Sequence, residues 1–155
     1  MTTTARRLFF DLPPVWLVLA LLISWIQARY FSFGLSFGPV WADLLGGLLV
    51  GGGGVLIVLA LAEMRRHQTT VHPHHTPAHL VQSGIFKRSR NPIYLADMCI
   101  LTGFILYWDA VLSLPLVPLF LWMLERRFVI PEENGLRRQF RMDFAKYCEK
   151  TRRWL

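Results

Sequence analysis

Long apolar stretches alternate with short polar segments along most of the chain. Four stretches are almost free of charged residues: 12–28, 41–62, 93–108 and 110–124. A helix needs about 20 apolar residues, with a range of roughly 17 to 25, to cross the hydrocarbon core of a bilayer. The first two stretches meet that length. The last two fall short of it at about 1.5 Å per residue and indicate a tight helical hairpin.

Glycines and prolines give two of these stretches a distinct character. The second stretch contains Gly46, Gly47 and the run 51–54. Small residues let another helix approach closely in lipid, so these glycines predict a packing face. Pro115 and Pro118 lie in the fourth stretch and predict a kinked helix there.

The tail from 125 to 155 is polar and charged instead of apolar. Its apolar residues recur at spacings of four, four and three, and so share one helical face: Leu136, Phe140, Phe144 and Tyr147. Cations occupy the opposite face: Arg137, Arg138, Arg141 and Lys146. This pattern is typical of a basic amphipathic helix that lies on an anionic membrane surface or caps a site beneath it.

Composition agrees with a membrane protein of a single domain. The 155 residues are 54% hydrophobic, with a mean hydropathy of +0.37, which is too apolar for an ordinary soluble domain. The net charge of +7 need not indicate nucleic acid, because cytoplasmic loops of membrane proteins collect Lys and Arg. Placing the N-terminus, the loop 63–92 and the tail in the cytoplasm puts every one of the 17 Lys and Arg residues except Arg29 on that side.

The predicted fold is therefore all-α and polytopic. We expect about four transmembrane helices, with both termini, the C-terminal amphipathic helix and the active site on the cytoplasmic side. The single domain 1–155 then has two parts. Residues 1–68 contain two N-terminal transmembrane helices, and residues 69–155 contain a central loop, the helical hairpin and the C-terminal helix.

The densest group of candidate functional residues lies between the second and third apolar stretches. It reads HLVQSGIFKRSRNPIYLAD from His79 to Asp97, with a turn predicted at Gly84. Pro is favoured in the first turn of a helix and pushes the residue before it out of the helical region. We therefore expect Pro92 to start a helix with Asn91 as its N-cap.

A histidine-rich loop precedes this segment and raises the alternative of a metal site. Its histidines are His67, His72, His74, His75 and His79. Their spacing fits no closed tetrahedral pattern, cysteine ligands are missing from the loop, and Pro73 and Pro77 favour an extended backbone. We predict a solvated loop without a metal. A non-catalytic membrane protein that binds a metal or a partner through this loop stays an alternative.

The central segment, together with PEENGLRRQFRMDFAKYCEKTRRWL, resembles the integral-membrane methyltransferases typified by isoprenylcysteine carboxyl methyltransferase, with phospholipid N-methyltransferases as more distant relatives. The resemblance covers 69–155. The positions that carry it are Leu80, Val81, Gly84, Arg90, Pro92, Tyr94, Glu132, Glu133, Leu136, Phe140 and Tyr147. Four positions depart from the family pattern, which has Tyr, His, Gly and Tyr where this chain has Phe86, Asn91, Arg141 and Phe144.

The resemblance implies S-adenosylmethionine as the cofactor and a membrane lipid or prenylated small molecule as the acceptor, with no nucleic acid and no obligate protein partner. The implied cofactor-binding residues are Ala78, His79, Leu80, Val81, Gly84, Phe86, Asn91, Tyr94, Glu132 and Glu133. The implied catalytic residues are Arg90, Asn91 and Tyr94. Independently of the resemblance, we predict that Asp97, Arg126 and Arg127 bind the acceptor, because Asp97 is an acid in an apolar helix and the two arginines follow the fourth apolar stretch, where they can orient an anionic acceptor.

Some of these assignments have a structural alternative. Glu132 and Glu133 are also suited to complement a helix dipole, and Arg126 and Arg127 to anchor a helix at the membrane surface. Asp97 is costly in an apolar helix unless it is functional or paired with Arg90.

Two acceptor classes follow from the resemblance. O-methylation of a carboxylate is the expected activity, and it needs no general base because the acceptor is already ionised at neutral pH. N-methylation of a phospholipid or other amine is the alternative. It needs a base, for which His79, Glu133 and Asp97 are candidates, because Asn91 does not titrate.

Overall fold

The computed structural model describes residues 12–68 and 79–155, and every regular element in these two ranges is a helix. The α-helices are α1 (Pro13–Tyr30), α2 (Pro39–Arg66), α3 (Pro92–Tyr107), α4 (Leu116–Leu124) and α5 (Ile130–Lys150). Short 3₁₀ turns cover Gly84–Lys87 and Val111–Ser113, and a turn of π-helix covers Glu125–Val129. The expected all-α architecture is confirmed for the described residues.

Prolines begin several of these helices. Pro92 lies at the start of α3 and Asn91 occupies its N-cap position, as predicted, although the Asn91 side chain makes no capping hydrogen bond. Pro115 precedes α4 and Pro118 lies in its first turn. A proline in the first turn disrupts no backbone hydrogen bond, because the amides there have no partner within the helix. These two prolines therefore start the helix, and the kink that the sequence predicts for them is wrong.

Helices α2 and α3 approach closely at glycines. A Cβ atom added at Gly46 would lie 2.6 Å from the carbonyl oxygen of Gly103, and one at Gly53 would lie 2.9 Å from that of Ala96. Added Cβ atoms at Gly47 and Gly51 would meet nothing within 4 Å. The predicted packing face therefore consists of only some of the α2 glycines.

Helix α3 is the central element of the fold. It contacts α1, α2 and α4, and its Leu101 and Ile105 are fully buried. They belong to a core that also includes Leu17 of α1, Leu124 of α4 and Phe128 of the π turn. Because the first turn of α3 follows the central loop directly, this core holds the loop in place relative to three other helices.

Among the described residues, one helix is long and apolar enough to cross a membrane. It spans Val40–Arg66, and only 17% of its most apolar window is buried inside the protein. Helix α3 is apolar but shorter, and α1 carries exposed apolar side chains such as Val18 and Leu22. The number of transmembrane helices and the cytoplasmic orientation stay predictions.

The polar tail forms the predicted amphipathic helix but is not separated from α4 by a loop. Helix α4 continues through the π turn into α5, and Leu124, Val129 and Ile130 all have helical backbone angles. Phe144 and Tyr147 are buried, whereas the predicted basic face is exposed: Arg137, Arg138, Arg141 and Lys146. Arg141 interrupts α5 with φ +39° and ψ −105°. Only glycine adopts such angles readily, and glycine is the residue expected here from the methyltransferase pattern that the chain resembles.

Candidate active site

The loop that carries the candidate residues is anchored on one side to the end of α2. The Ser83 hydroxyl donates a hydrogen bond to the Glu63 carboxylate and lies 2.7 Å from Nε2 of His67. Gly84 follows with φ +56°, and an added Cβ would lie 2.7 Å from Oε2 of Glu63. The turn predicted at Gly84 is confirmed, and both its backbone angle and the close approach of Glu63 favour glycine.

The C-terminal residues anchor the other side of the same loop. The Tyr147 hydroxyl donates to the carbonyl oxygen of Phe86 at 2.6 Å. The backbone amide of Arg90 donates to the carbonyl oxygen of Arg152 at 3.1 Å. The side-chain amide of Asn91 donates to the carbonyl oxygen of Arg153 at 3.2 Å. Asn91, where the family has His, therefore uses its amide to hold the C-terminal segment.

The two regions that carry the family resemblance meet at Tyr94 and Glu132. The Tyr94 hydroxyl donates to Oε2 of Glu132 at 3.1 Å, and the Tyr94 ring stacks on Phe128 with centroids 6.3 Å apart. Tyr94 is buried. Stacking on Phe128 holds the Tyr94 ring in one orientation. The Tyr94 hydroxyl therefore points in a fixed direction and holds the Glu132 carboxylate through the hydrogen bond.

The adjacent Glu133 faces a different set of partners. It forms an ion pair with Arg90 at 3.2 Å, and Arg153 binds both of its oxygens at 3.1 and 2.7 Å. Arg153 also pairs with Glu125. Because α5 continues from the π turn, its first turn is not a free helix end. Without free amides at that point, Glu132 and Glu133 have little helix dipole to complement, which weakens this structural alternative to a role in the site.

A cavity of about 460 Å³ lies beside the Tyr94 and Glu132 pair. Its polar wall comes from the loop, α3 and α5: Phe86, Arg90, Asn91, Tyr94, Asp97 and Glu132. Its apolar wall comes from the start of α1 and the last turns of α2, including Leu17, Ile57 and Leu61. The volume lies within the range of about 300 to 1,000 Å³ that is usual for small-molecule sites.

Two polar atoms of cavity residues are buried without a hydrogen-bond partner among the described residues. They are Nε of Arg90 and Oδ2 of Asp97. Asp97 is only 4% exposed. Burying an unsatisfied polar atom costs free energy, and most buried polar groups in proteins have a partner. Arg90 and Asp97, which both line the cavity, therefore each keep one buried polar atom without a partner among the described residues.

The electrostatics of the cavity favour a cation near Glu132. Burial raises the pKa of Glu132, the charge of Glu133 raises it further, and the hydrogen bond from Tyr94 opposes both effects. A cationic ligand would favour the ionised carboxylate and offset the cost of burying it. Apart from Arg90, the charged residues that line the cavity are acids.

The predicted site residues fall into two groups. The cavity brings together Phe86, Arg90, Asn91, Tyr94, Asp97 and Glu132. The others lie outside its wall: Leu80, Val81, Gly84 and Glu133 are in the supporting structure, and His79, Arg126 and Arg127 have exposed side chains. The Arg127 guanidinium lies 5.6 Å from the centroid of the Trp16 ring. Ala78 lies outside the described residues, as do His72, His74 and His75 of the histidine-rich loop.

Sequence reasoning missed two parts of the site. Arg153 is one of many cations in the tail, and nothing in its spacing distinguishes it. The apolar wall from α1 and α2 has no local signal either, because any apolar helix supplies such residues. In the part of the chain that the structure describes, no group of three or more His, Cys, Asp or Glu side chains is placed to hold a metal ion.

Comparison with known proteins identifies the family. A model of the phospholipid methyltransferase family matches residues 41–143, which is well over half of the chain. The match begins near the start of α2, ends within α5, and includes the loop, Tyr94, Asp97 and Glu132. No curated protein and no solved structure matches the chain. The resemblance to membrane methyltransferases is confirmed, and the chain belongs to the phospholipid methyltransferase family.

Proposed function

We propose that this protein transfers a methyl group from S-adenosylmethionine to a lipid-like acceptor held in the cavity. The observation that carries the proposal is the composition of the cavity wall. A cluster of polar side chains from the loop, α3 and α5 faces an apolar surface supplied by α1 and α2. Such a site suits a charged cofactor beside an apolar acceptor.

The polar residues match the chemical groups of S-adenosylmethionine. Glu132 and Asp97 complement its ammonium and sulfonium charges, and Arg90 complements its carboxylate. The rings of Tyr94 and Phe86 offer faces for a cation. When bound, the cofactor supplies an electrophilic methyl group on a positively charged sulfur. We further propose that the backbone from His79 to Val81 borders its adenosine part, as the family resemblance implies.

The protein's own contribution is to position the reactants and exclude water. Tyr94 holds Glu132 in one orientation, and Glu133 holds Arg90. Alignment of two reactants in a single site contributes several kcal/mol to catalysis, roughly 7 to 11 in favourable cases. The apolar wall keeps water from the acceptor and strengthens the electrostatic interactions within the cavity.

The charges of the cavity favour an amine acceptor over a carboxylate. In this proposal Arg90 binds the carboxylate of the cofactor, so a carboxylate acceptor would enter a site that contains Asp97 and Glu132 without a second cation in its described wall. An ammonium acceptor would instead be attracted to Asp97. It must lose a proton before it forms a bond to the methyl carbon, and we propose the Asp97 carboxylate in the cavity wall as the acceptor for that proton.

A carboxylate acceptor is the second candidate, because the matched loop and tail resemble isoprenylcysteine carboxyl methyltransferase as well. Both acceptor classes share one route of access. The apolar wall, with Leu17 of α1 on one side and Ile57 and Leu61 of α2 on the other, suits an acceptor that enters sideways from the bilayer. The cofactor would enter from the cytoplasm if the basic segments face that side.

The test is methyl transfer by the purified full chain in lipid vesicles. We would supply S-adenosylmethionine labelled on its methyl group to vesicles that contain either an aminophospholipid or a prenylated carboxylic acid. Label that enters the aminophospholipid and withstands mild base indicates N-methylation, whereas base-labile label on the acid indicates an ester. Calorimetry that detects no binding of S-adenosylmethionine would contradict the proposal for both acceptors and favour the non-catalytic alternative.

A further inference from the structure

The last residues of the chain lie against the candidate site. Arg153 accepts hydrogen bonds at its carbonyl oxygen from Oγ of Ser89 at 3.3 Å and from the Asn91 amide at 3.2 Å. Its guanidinium binds Glu133 and Glu125. Trp154 packs against the buried core, and Thr151 is buried. Arg153 thus joins the loop, the π turn and the first turn of α5.

The charge of Arg153 acts on a buried acid. The Glu133 side chain is only 8% exposed and lies between two guanidinium groups, those of Arg90 and Arg153. Arg153 supplies the bidentate contact, which is the stronger and more directional arrangement. Arg90 supplies a single contact from the cavity side. Arg153 therefore neutralises much of the charge of Glu133. As a result, the ion pair between Glu133 and Arg90 is weaker than it would be if Arg90 were the sole partner of Glu133.

We propose that Arg153 is a positioning residue for cofactor binding, which acts through Glu133 on the two cavity residues Arg90 and Glu132. This inference rests on the proposed function, because its effect is on the site for S-adenosylmethionine. Arg153 does not line the cavity and touches neither reactant in the proposal. It keeps Arg90 available to a carboxylate and keeps the negative charge beside Glu132 low.

The electrostatic part of the proposal has a definite direction. The charged and titratable groups around Glu132 are Tyr94 and Asp97 from α3, Arg90 from the loop, and Glu133 from α5. The charge of Glu133 contributes to the raised pKa of Glu132. Without Arg153, Glu133 would be less neutralised and would hold the pKa of Glu132 higher still. A larger fraction of Glu132 would then be protonated at neutral pH and unable to attract a cation.

Binding of S-adenosylmethionine, measured by titration calorimetry between about pH 5 and pH 9, tests this mechanism. The full chain is used in detergent, and the melting temperature of each variant is measured in parallel. Arg153→Gln removes the charge but keeps a polar side chain. We expect it to raise the midpoint of the pH dependence by about one unit and to weaken binding about tenfold at pH values well below the wild-type midpoint. Arg153→Lys keeps the charge and should retain the wild-type midpoint, although it loses the bidentate geometry.

Two control variants separate this mechanism from a structural role of the C-terminal segment. Arg152→Ala removes the neighbouring exposed side chain and should change neither the midpoint nor the affinity. Glu125→Gln breaks the other ion pair of Arg153 but leaves its contact with Glu133 in place. It should lower the melting temperature without moving the midpoint.

The possible outcomes are distinct. A wild-type midpoint in Arg153→Gln, or an equal shift in Glu125→Gln, would overturn the positioning role and leave the proposed function intact. A shift in Arg153→Lys as large as that in Arg153→Gln would also overturn it, because the charge would then not be the cause. No binding by the wild-type protein at any pH would overturn the proposed function, and this inference with it.

Discussion

The hydroxyl of Tyr94 and the carboxylate of Glu132 are joined by a hydrogen bond of 3.1 Å, although 38 positions separate the two residues in the chain. One belongs to the first turn of α3 and the other to the first turn of α5. The contact brings the two segments that resemble membrane methyltransferases to a common cavity. It also assigns different environments to two adjacent glutamates, because Glu132 faces the cavity and Glu133 faces Arg90 and Arg153.

Glu132→Gln should weaken binding of S-adenosylmethionine and reduce the pH dependence of that binding. Burial raises the pKa of Glu132, so the fraction of ionised carboxylate increases as the pH rises through that pKa. Wild-type affinity for the cation should therefore increase with pH and then level off. Titration calorimetry at several pH values provides the measurement. A Glu132→Gln variant that keeps the wild-type pH profile would contradict the assignment of Glu132 to the cofactor.

The same substitution should stabilise the protein in the absence of cofactor. A carboxyl group whose pKa is raised on folding binds more protons in the native state than in the unfolded state. The stability associated with Glu132 is therefore present below its ordinary pKa and is lost as the pH rises through the raised pKa. The melting temperature of Glu132→Gln should exceed that of the wild type at pH 8, and the difference should shrink as the pH is lowered.

Asp97→Asn should impair methyl transfer to an amine more than it impairs cofactor binding. The substitution keeps the size of the side chain but removes the group that takes the proton from the acceptor in our proposal. General-base catalysis contributes about 10² to 10⁴ in rate, so we expect the turnover number to fall by at least about a hundredfold. The exposed Asp43→Asn serves as the control. Unchanged turnover in Asp97→Asn would exclude Asp97 as the base.

Gly46→Leu should disrupt the packing of α2 on α3, whereas Gly47→Leu should not. A Cβ atom added at Gly46 would already lie 2.6 Å from the carbonyl oxygen of Gly103. Moving that backbone atom aside would cost more free energy than turning a flexible side chain. Overpacking of this kind costs about 1 to 3 kcal/mol or more. The adjacent Gly47 faces open space. Melting temperatures of the two variants in detergent provide the comparison, and equal losses would contradict the observed rotation of α2.

Arg141→Gly should raise the stability of the protein. Arg141 has φ +39° within α5, where a residue with a Cβ is strained by about 1 to 3 kcal/mol. Glycine relieves this strain, although it also increases the entropy of the unfolded chain, so we expect a net gain of about 1 kcal/mol. Arg137→Gly, at an exposed position earlier in the same helix, should instead cost about 1 kcal/mol. Denaturant unfolding measures both, and a loss of stability in both variants would contradict the strained geometry.

Local patterns predicted much of the fold. The start of α3 at Pro92 and the turn at Gly84 follow from steric limits on single residues, which do not depend on distant parts of the chain. The buried face of α5 after Arg141 follows from the spacing of Phe144 and Tyr147, whereas the interruption of the helix at Arg141 has no signal in that spacing. Local patterns did not predict how the fourth apolar stretch joins the tail. The change from apolar to charged residues after Leu124 suggests a break, but the helix continues into the π turn without a loop.

The sequence by itself determined the helical architecture, the two linked motifs and, through them, the family. The tertiary structure alone decided that Glu133 pairs with Arg90 and Arg153, and which α2 glycines contact α3. It also decided that the side-chain amide of Asn91 donates to the carbonyl oxygen of Arg153. The physical reason is that neighbouring residues of a helix point about 100° apart. Which of them meets a given partner depends on the rotation and packing of whole helices, and no local pattern of residues encodes that rotation.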